Sequence, residues 1–120
     1  MSPGAGMLAL SGPPKREKIL LGILEEVGEN GYDATSVRTI LDRTGLYRQA
    51  FYDNFPDKDA CFRHAFEAGV ARLEALASAA AAEHRDWRSK LRAGLDAVLE
   101  LLDAQPEIGR ALVVEVHAAG

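Results

Sequence analysis

With 120 residues, 48% of them hydrophobic, the chain has material for one compact domain, or for a small unit with part of a second, and too little for two large domains. Fourteen Lys and Arg against 18 Asp and Glu leave a formal net charge of −4, which argues against a uniformly basic nucleic-acid binder and leaves only local charge to serve one. The single cysteine, Cys61, excludes an intrachain disulfide or a cysteine-based metal cluster, and His64, His84 and His117 show no metal-ligand spacing.

Residues 1–14 are rich in Gly, Pro, Ala and Ser and carry no basic residue before a short apolar stretch at 7–10, so they lack the charged start of a signal peptide. They read as a flexible arm. No apolar run approaches the roughly 20 residues that span a bilayer, and the expected setting is cytoplasmic, without membrane contact. From 15 to 30, Ile19, Leu20, Ile23, Leu24 and Val27 recur at helical spacing and predict a first helix. Asn30-Gly31 closes it, because glycine tolerates the left-handed conformation of a helix C-terminus. Thr35 or Ser36 then offers a side-chain oxygen to the free amides of a second helix. That helix is short and sets Val37, Ile40 and Leu41 on one face, with Arg38, Asp42 and Arg43 turned elsewhere.

Thr44-Gly45-Leu46 interrupts the pattern, with Gly45 free to take positive φ and Leu46 able to turn inward and pin the corner. Helicity resumes at Tyr47 or Arg48 and runs to Asn54 or Phe55, with Phe51 and Phe55 sharing a face. Pro56 ends it, and Asp57 caps a long fourth helix whose apolar side includes Phe62, Phe66, Val70, Leu73 and Leu76. Asp86 is expected to cap a fifth helix carrying Trp87, Leu91, Leu95, Val98, Leu99 and Leu102, a stripe read as core. Pro106 suits the first turn of a sixth helix, with Ile108, Leu112, Val113 and Val116 as its apolar side. No stretch alternates as a strand does, so the fold class is all-α.

Two short helices around a glycine corner, backed by a first helix, are the elements of a helix-turn-helix, whose second helix enters the major groove of DNA. Val37, Ile40, Leu41, Leu46, Phe51 and Phe55 give the pair an inner face and leave Tyr47, Arg48, Gln49 and Tyr52 outside. Between Thr35 and Lys58 the basic residues Arg38, Arg43, Arg48 and Lys58 outnumber Asp42, Asp53 and Asp57, a local excess of one positive charge. Arg48 and Gln49 are the candidate base readers, since Arg suits guanine and Gln adenine through paired hydrogen bonds worth about 1–3 kcal/mol; the plainer reading of both is ordinary exposed helix residues. Tyr47 can offer its hydroxyl to phosphate or pack inward. Thr35 and Ser36 combine capping with the phosphate attraction of a helix N-terminus. Arg38 is a candidate phosphate contact, and Asn54 completes the set. Lys15, Arg16 and Lys18 are read equally well as partners of DNA alongside the arm or as a solvated charge run.

These residues resemble the TetR family. The resemblance runs from Ile19-Leu20 through Gly31-Tyr32, Thr35-Ser36-Val37, Ile40, Gly45-Leu46, Phe51-Tyr52 and Asn54-Phe55 to Lys58-Asp59, and Gln105-Pro106-Glu107 is similar to the start of a later helix in the family. It implies a three-helix DNA-binding domain over 15–58, followed over 59–120 by a linker helix and part of a helical effector-binding and dimerisation domain. It also implies phosphate contacts for Tyr52 and Lys58, a palindromic double-stranded operator, a small-molecule effector acting through the fourth helix, and a homodimer. The sequence departs from the family at Tyr47, where many members carry a small capping residue. Family members continue for several further helices, so the dimer-forming helices are expected to be missing from these 120 residues. The expected function is sequence-specific regulation of transcription, as a repressor relieved by an effector. The competing reading is a helical interaction protein that pairs with a longer relative and does not read DNA. No acid-base pair, nucleophile set, phosphate loop or metal set points to an enzyme, and no cofactor is implied.

Overall fold

A computed structural model describes the backbone of residues 14–119 and the side chains of residues 14–112. Within them run six helices and no strand: α1 (Pro14–Asn30), α2 (Val37–Thr44), α3 (Arg48–Asn54), α4 (Lys58–Ala81), α5 (Trp87–Ala104) and α6 (Pro106–Ala119). The first helix takes in Pro14, whose fixed φ suits an opening turn; the rest of the expected arm lies outside the described residues, as do the side chains of Val113 and Val116.

Local chemistry sets the helix ends. Gly31, at φ 87°, donates its amide to the Val27 carbonyl at 2.8 Å and closes α1; Gly45, at φ 73°, does the same to Leu41 at the end of α2. Both positions need the left-handed backbone that glycine adopts without strain. Ser36 and Thr39 form a reciprocal box at the start of α2: the Ser36 hydroxyl accepts from the Thr39 amide at 3.1 Å, and the Thr39 hydroxyl accepts from the Ser36 amide at 2.9 Å. Asp57 caps α4 by accepting from the Ala60 amide, and Asp86 caps α5 by accepting from Ser89. Asp86 lies below the usual carboxylate range because the Ser89 amide stabilises its charge.

One apolar core links all of this. Ile19, Leu20, Ile23, Leu24 and Val27 of α1 meet Ile40 of α2, Phe51 and Phe55 around α3, Cys61, Phe62 and Ala65 of α4, Leu101 of α5, and Ile108, Ala111 and Leu112 of α6. Helix α1 is the hub: α2, α3, α4 and α6 all pack on it. Its contact with α6 is backbone-close at Gly28, where an added Cβ would overlap the Glu107 carbonyl group. The Arg110 guanidinium donates to the Gly28 carbonyl at 3.1 Å across the same junction.

The fifth helix departs from expectation. Its Trp87, Leu91, Leu95 and Leu99 are not core: they are 68%, 55%, 54% and 57% exposed. The side it buries carries Gly94 and Leu101, with Val98 and Leu102 half-buried. Gly94 has no side chain and lets α5 approach the Ala77 backbone of α4 closely. The helix is thus apolar on two sides, and its close approach to α4 selects the side with the smaller residue.

Candidate nucleic-acid interface

The outer surface of α2 and α3 is assembled by the burial of their inner surface. Phe51 and Phe55 are both sequestered, with ring centroids 5.9 Å apart, and Val37, Leu41 and Leu46 pack around the same core. Because Phe51 is fixed inward, the helical period turns Arg48, Gln49 and Tyr52 outward. Arg48 and Gln49 are exposed at the N-terminal end of α3; Tyr47, just before them, is 86% exposed and makes no capping bond. Tyr52 keeps its ring edge against Phe51, centroids 5.2 Å apart in a T-shape, while about half of it faces solvent. Arg38 is exposed on α2, and Ser36 is exposed at its N-terminus. These six side chains are solvent-accessible around the two short helices.

The remaining sequence-predicted residues sit differently. Thr35 is buried, and its hydroxyl donates to the Gly31 carbonyl at 2.9 Å, stiffening the α1–α2 connection. Asn54 is half-buried, with its amide nitrogen donating to the Ala50 carbonyl at 2.8 Å. The half-buried Lys58 ammonium donates to the Tyr32 carbonyl at 3.1 Å and lies 4.1 Å from the centre of the Tyr32 ring, tying the first turn of α4 to the α1–α2 connection. Of the basic cluster on α1, Lys15 and Lys18 are exposed, while the Arg16 guanidinium covers the Phe55 ring at 4.5 Å.

Residues 19–65 match the family model described as bacterial regulatory proteins, tetR family. Among solved structures, the chain is similar to a TetR family transcription regulator from Marinobacter aquaeolei VT8, with a TM-score of 0.83 and 26% sequence identity over 88% of this chain. Residues 19–65 thus carry a stretch of the tetR-family type, in a chain whose fold matches that of a TetR family regulator. The match extends over 55% of the Marinobacter protein, so this chain spans little more than half of that structure's length. No curated protein sequence matches it.

Sequence spacing does not show what holds Arg43. Arg43 contributes to the local positive count, yet its guanidinium is held by two carboxylates of α1: Nε and Nη2 donate to Glu26 at 3.2 and 3.1 Å, and Nη2 also reaches Glu29. Glu26 is itself buried and accepts further from the Asn30 amide. The Arg43 hydrogen bond holds Glu29 below its ordinary range, and the same bond raises Arg43. Neighbouring Glu25 is shifted upward, chiefly by burial. Arg43 therefore fastens α2 to α1, and the cations left to the outer surface are Arg38 and Arg48. The i, i+3 spacing of Glu26 and Glu29 placed both acids on one face; what lacked a local signal was which helix would meet them.

Proposed function

We propose that this chain binds double-stranded DNA sequence-specifically and regulates transcription, with the N-terminal end of α3 in the major groove. The observation that carries this reading is the division of α3: Phe51 is locked into the core, while Tyr47, Arg48 and Gln49 are exposed on the outside and Tyr52 half-faces solvent beside them. In this reading Arg48 and Gln49 meet base edges. Tyr47, Tyr52, Arg38 and the Ser36 end of α2 meet phosphates. Lys58 and Asn54 support the frame as well as lying beside the backbone of the DNA, and Thr35 acts from inside by fixing the connection that presents Ser36. Residues 15–58 form the DNA-binding unit, and 59–120 belong to a regulatory helical unit.

We assign a repressor role relieved by a small-molecule effector, in a homodimer on a palindromic operator in the cytoplasm, as the fuller form of the same proposal. The packing supports a route for such relief. Both α4 and α6 seat on α1, so a ligand that displaced either would move the support of α2 and α3.

Fluorescence anisotropy with duplexes from upstream of the protein's own gene, across a salt series, tests the proposal. Saturable, sequence-dependent binding should weaken with salt by about 0.9 log unit per log unit for each phosphate neutralised. Arg48→Ala should abolish the sequence preference, and Arg38→Ala should flatten the salt slope. Absence of binding by the folded protein supports the interaction-protein reading, which the uncovered leucines of α5 favour.

A further inference from the structure

We propose that Asp53 on α3 determines specificity: its carboxylate reads the exocyclic amine of a cytosine in the major groove, and its charge disfavours duplexes that lack one there. The position follows from the core. Gln49 and Asp53 each stand two residues from the buried Phe51, roughly 200° around the helix. Both are exposed, one turn apart on the side farthest from Phe51. In the DNA-binding reading Gln49 meets a base edge, and Asp53 continues the same line one turn further on.

Nothing in the fold calls for an acid at this position. Among the described residues Asp53 forms no ion pair and no hydrogen bond, whereas nearby Asp57 caps α4. Asp53 lies in the last turn of α3, where the helix dipole disfavours negative charge. Turned toward DNA, an unpaired carboxylate is also repelled by the phosphates around it. Base chemistry offers one compensation. In the major groove guanine presents two acceptors, thymine an acceptor and a methyl, and adenine a donor beside an acceptor, while cytosine alone presents a donor with no acceptor of its own. An ionised carboxylate only accepts, so the cytosine N4 amine matches it and each other base sets an acceptor against it. Asp53 therefore contributes discrimination more than affinity, because a wrong base leaves its charge unpaired.

This role rests on the DNA-binding reading, and its test lets the two fail separately. Duplexes with a randomised segment are put through rounds of selection by the 120-residue chain and its variants, and the recovered sites are measured by fluorescence anisotropy. The parent should enrich cytosine at one position that Gln49→Ala keeps and Asp53→Ala loses. Asp53→Asn, whose amide suits adenine, should move the preference at that position from cytosine to adenine. Changing that C·G pair to T·A should weaken the parent about tenfold and Asp53→Ala by less than about twofold. On random-sequence duplex at low salt, Asp53→Ala should bind at least about twofold tighter than the parent, a gain that shrinks as salt rises. An Asp53→Ala protein that tightens on every duplex and keeps every base preference overturns the inference, since the carboxylate would then only repel phosphate, and leaves the DNA-binding reading standing. Enrichment of no sequence by the folded parent overturns both.

Discussion

Helix α3 and helix α5 solve opposite problems with the same periodicity. In α3, seven residues long, the one large hydrocarbon ring at Phe51 is sealed and the exposed side is polar or amphipathic. In α5, 18 residues long, Gly94 and the buried Leu101 face the protein with half-buried residues around them, while Trp87 and three leucines face out. A short helix cannot hold itself in water and depends on the packing of its inner face. A long helix that joins its neighbour through Gly94 can leave an apolar ridge free. The sealed region presents a fixed polar surface, and the open one presents a sticky edge.

The contrast has measurable consequences. Phe51→Ala should cost about 3–5 kcal/mol, read by urea unfolding, because it empties a fully buried ring site in the core that seats α3 on α1. Gly28→Ala should cost about 1–3 kcal/mol by the same method, since the added methyl meets the Glu107 backbone rather than a yielding side chain. Acid sensitivity should follow the α1–α2 clamp. Glu29 has a lowered folded pKa, so its stabilisation is present above its ordinary value and disappears as pH falls through the folded one. Glu25, raised by burial, works in the opposite sense, favouring the fold as it protonates. Thermal melts from pH 6 to about 3 should therefore fall less steeply in Arg43→Ala than in the parent, because the paired carboxylate no longer loses a partner on protonation. Tyr47→Ser should add about 0.5–1 kcal/mol by capping α3, and in an anisotropy assay it should weaken DNA binding. Leu95→Ala should change stability by less than about 0.5 kcal/mol, read by urea unfolding, because the side chain is exposed. A large loss there would mean that α5 is held by its outer face, and the contrast would collapse.

The features that rest on neighbouring residues were legible in advance. Gly31, Gly45, Ser36, Asp57 and Asp86 end or start helices as their side chains dictate, and the inner face from Val37 to Phe55 follows from spacing alone. The outward placement of Arg48, Gln49 and Tyr52 came with it. Periodicity tells which side of a helix is apolar but not whether anything covers that side, so the α5 ridge reads as core in the sequence while the structure leaves it exposed. Nor does it tell which distant residue arrives: the capture of Arg43 by Glu26 and Glu29, the inward turn of the Thr35 hydroxyl and the hold of Lys58 on Tyr32 depend on how helices meet. The seating of Glu107 on Gly28 is of the same kind, since a glycine inside a helix carries no mark of what will approach it.

The position of Cys61 gives the protein an internal clock. Burial pushes its thiol up to about 12, so at neutral pH it is neither charged nor reachable. It can react with a thiol reagent only when α4 lifts from α1, and the labelling rate of the untouched protein therefore counts openings of the centre of the fold. A cysteine placed at the exposed Gln49 would meanwhile label at once. One chain can thus carry a dye on its surface while its own thiol keeps time inside.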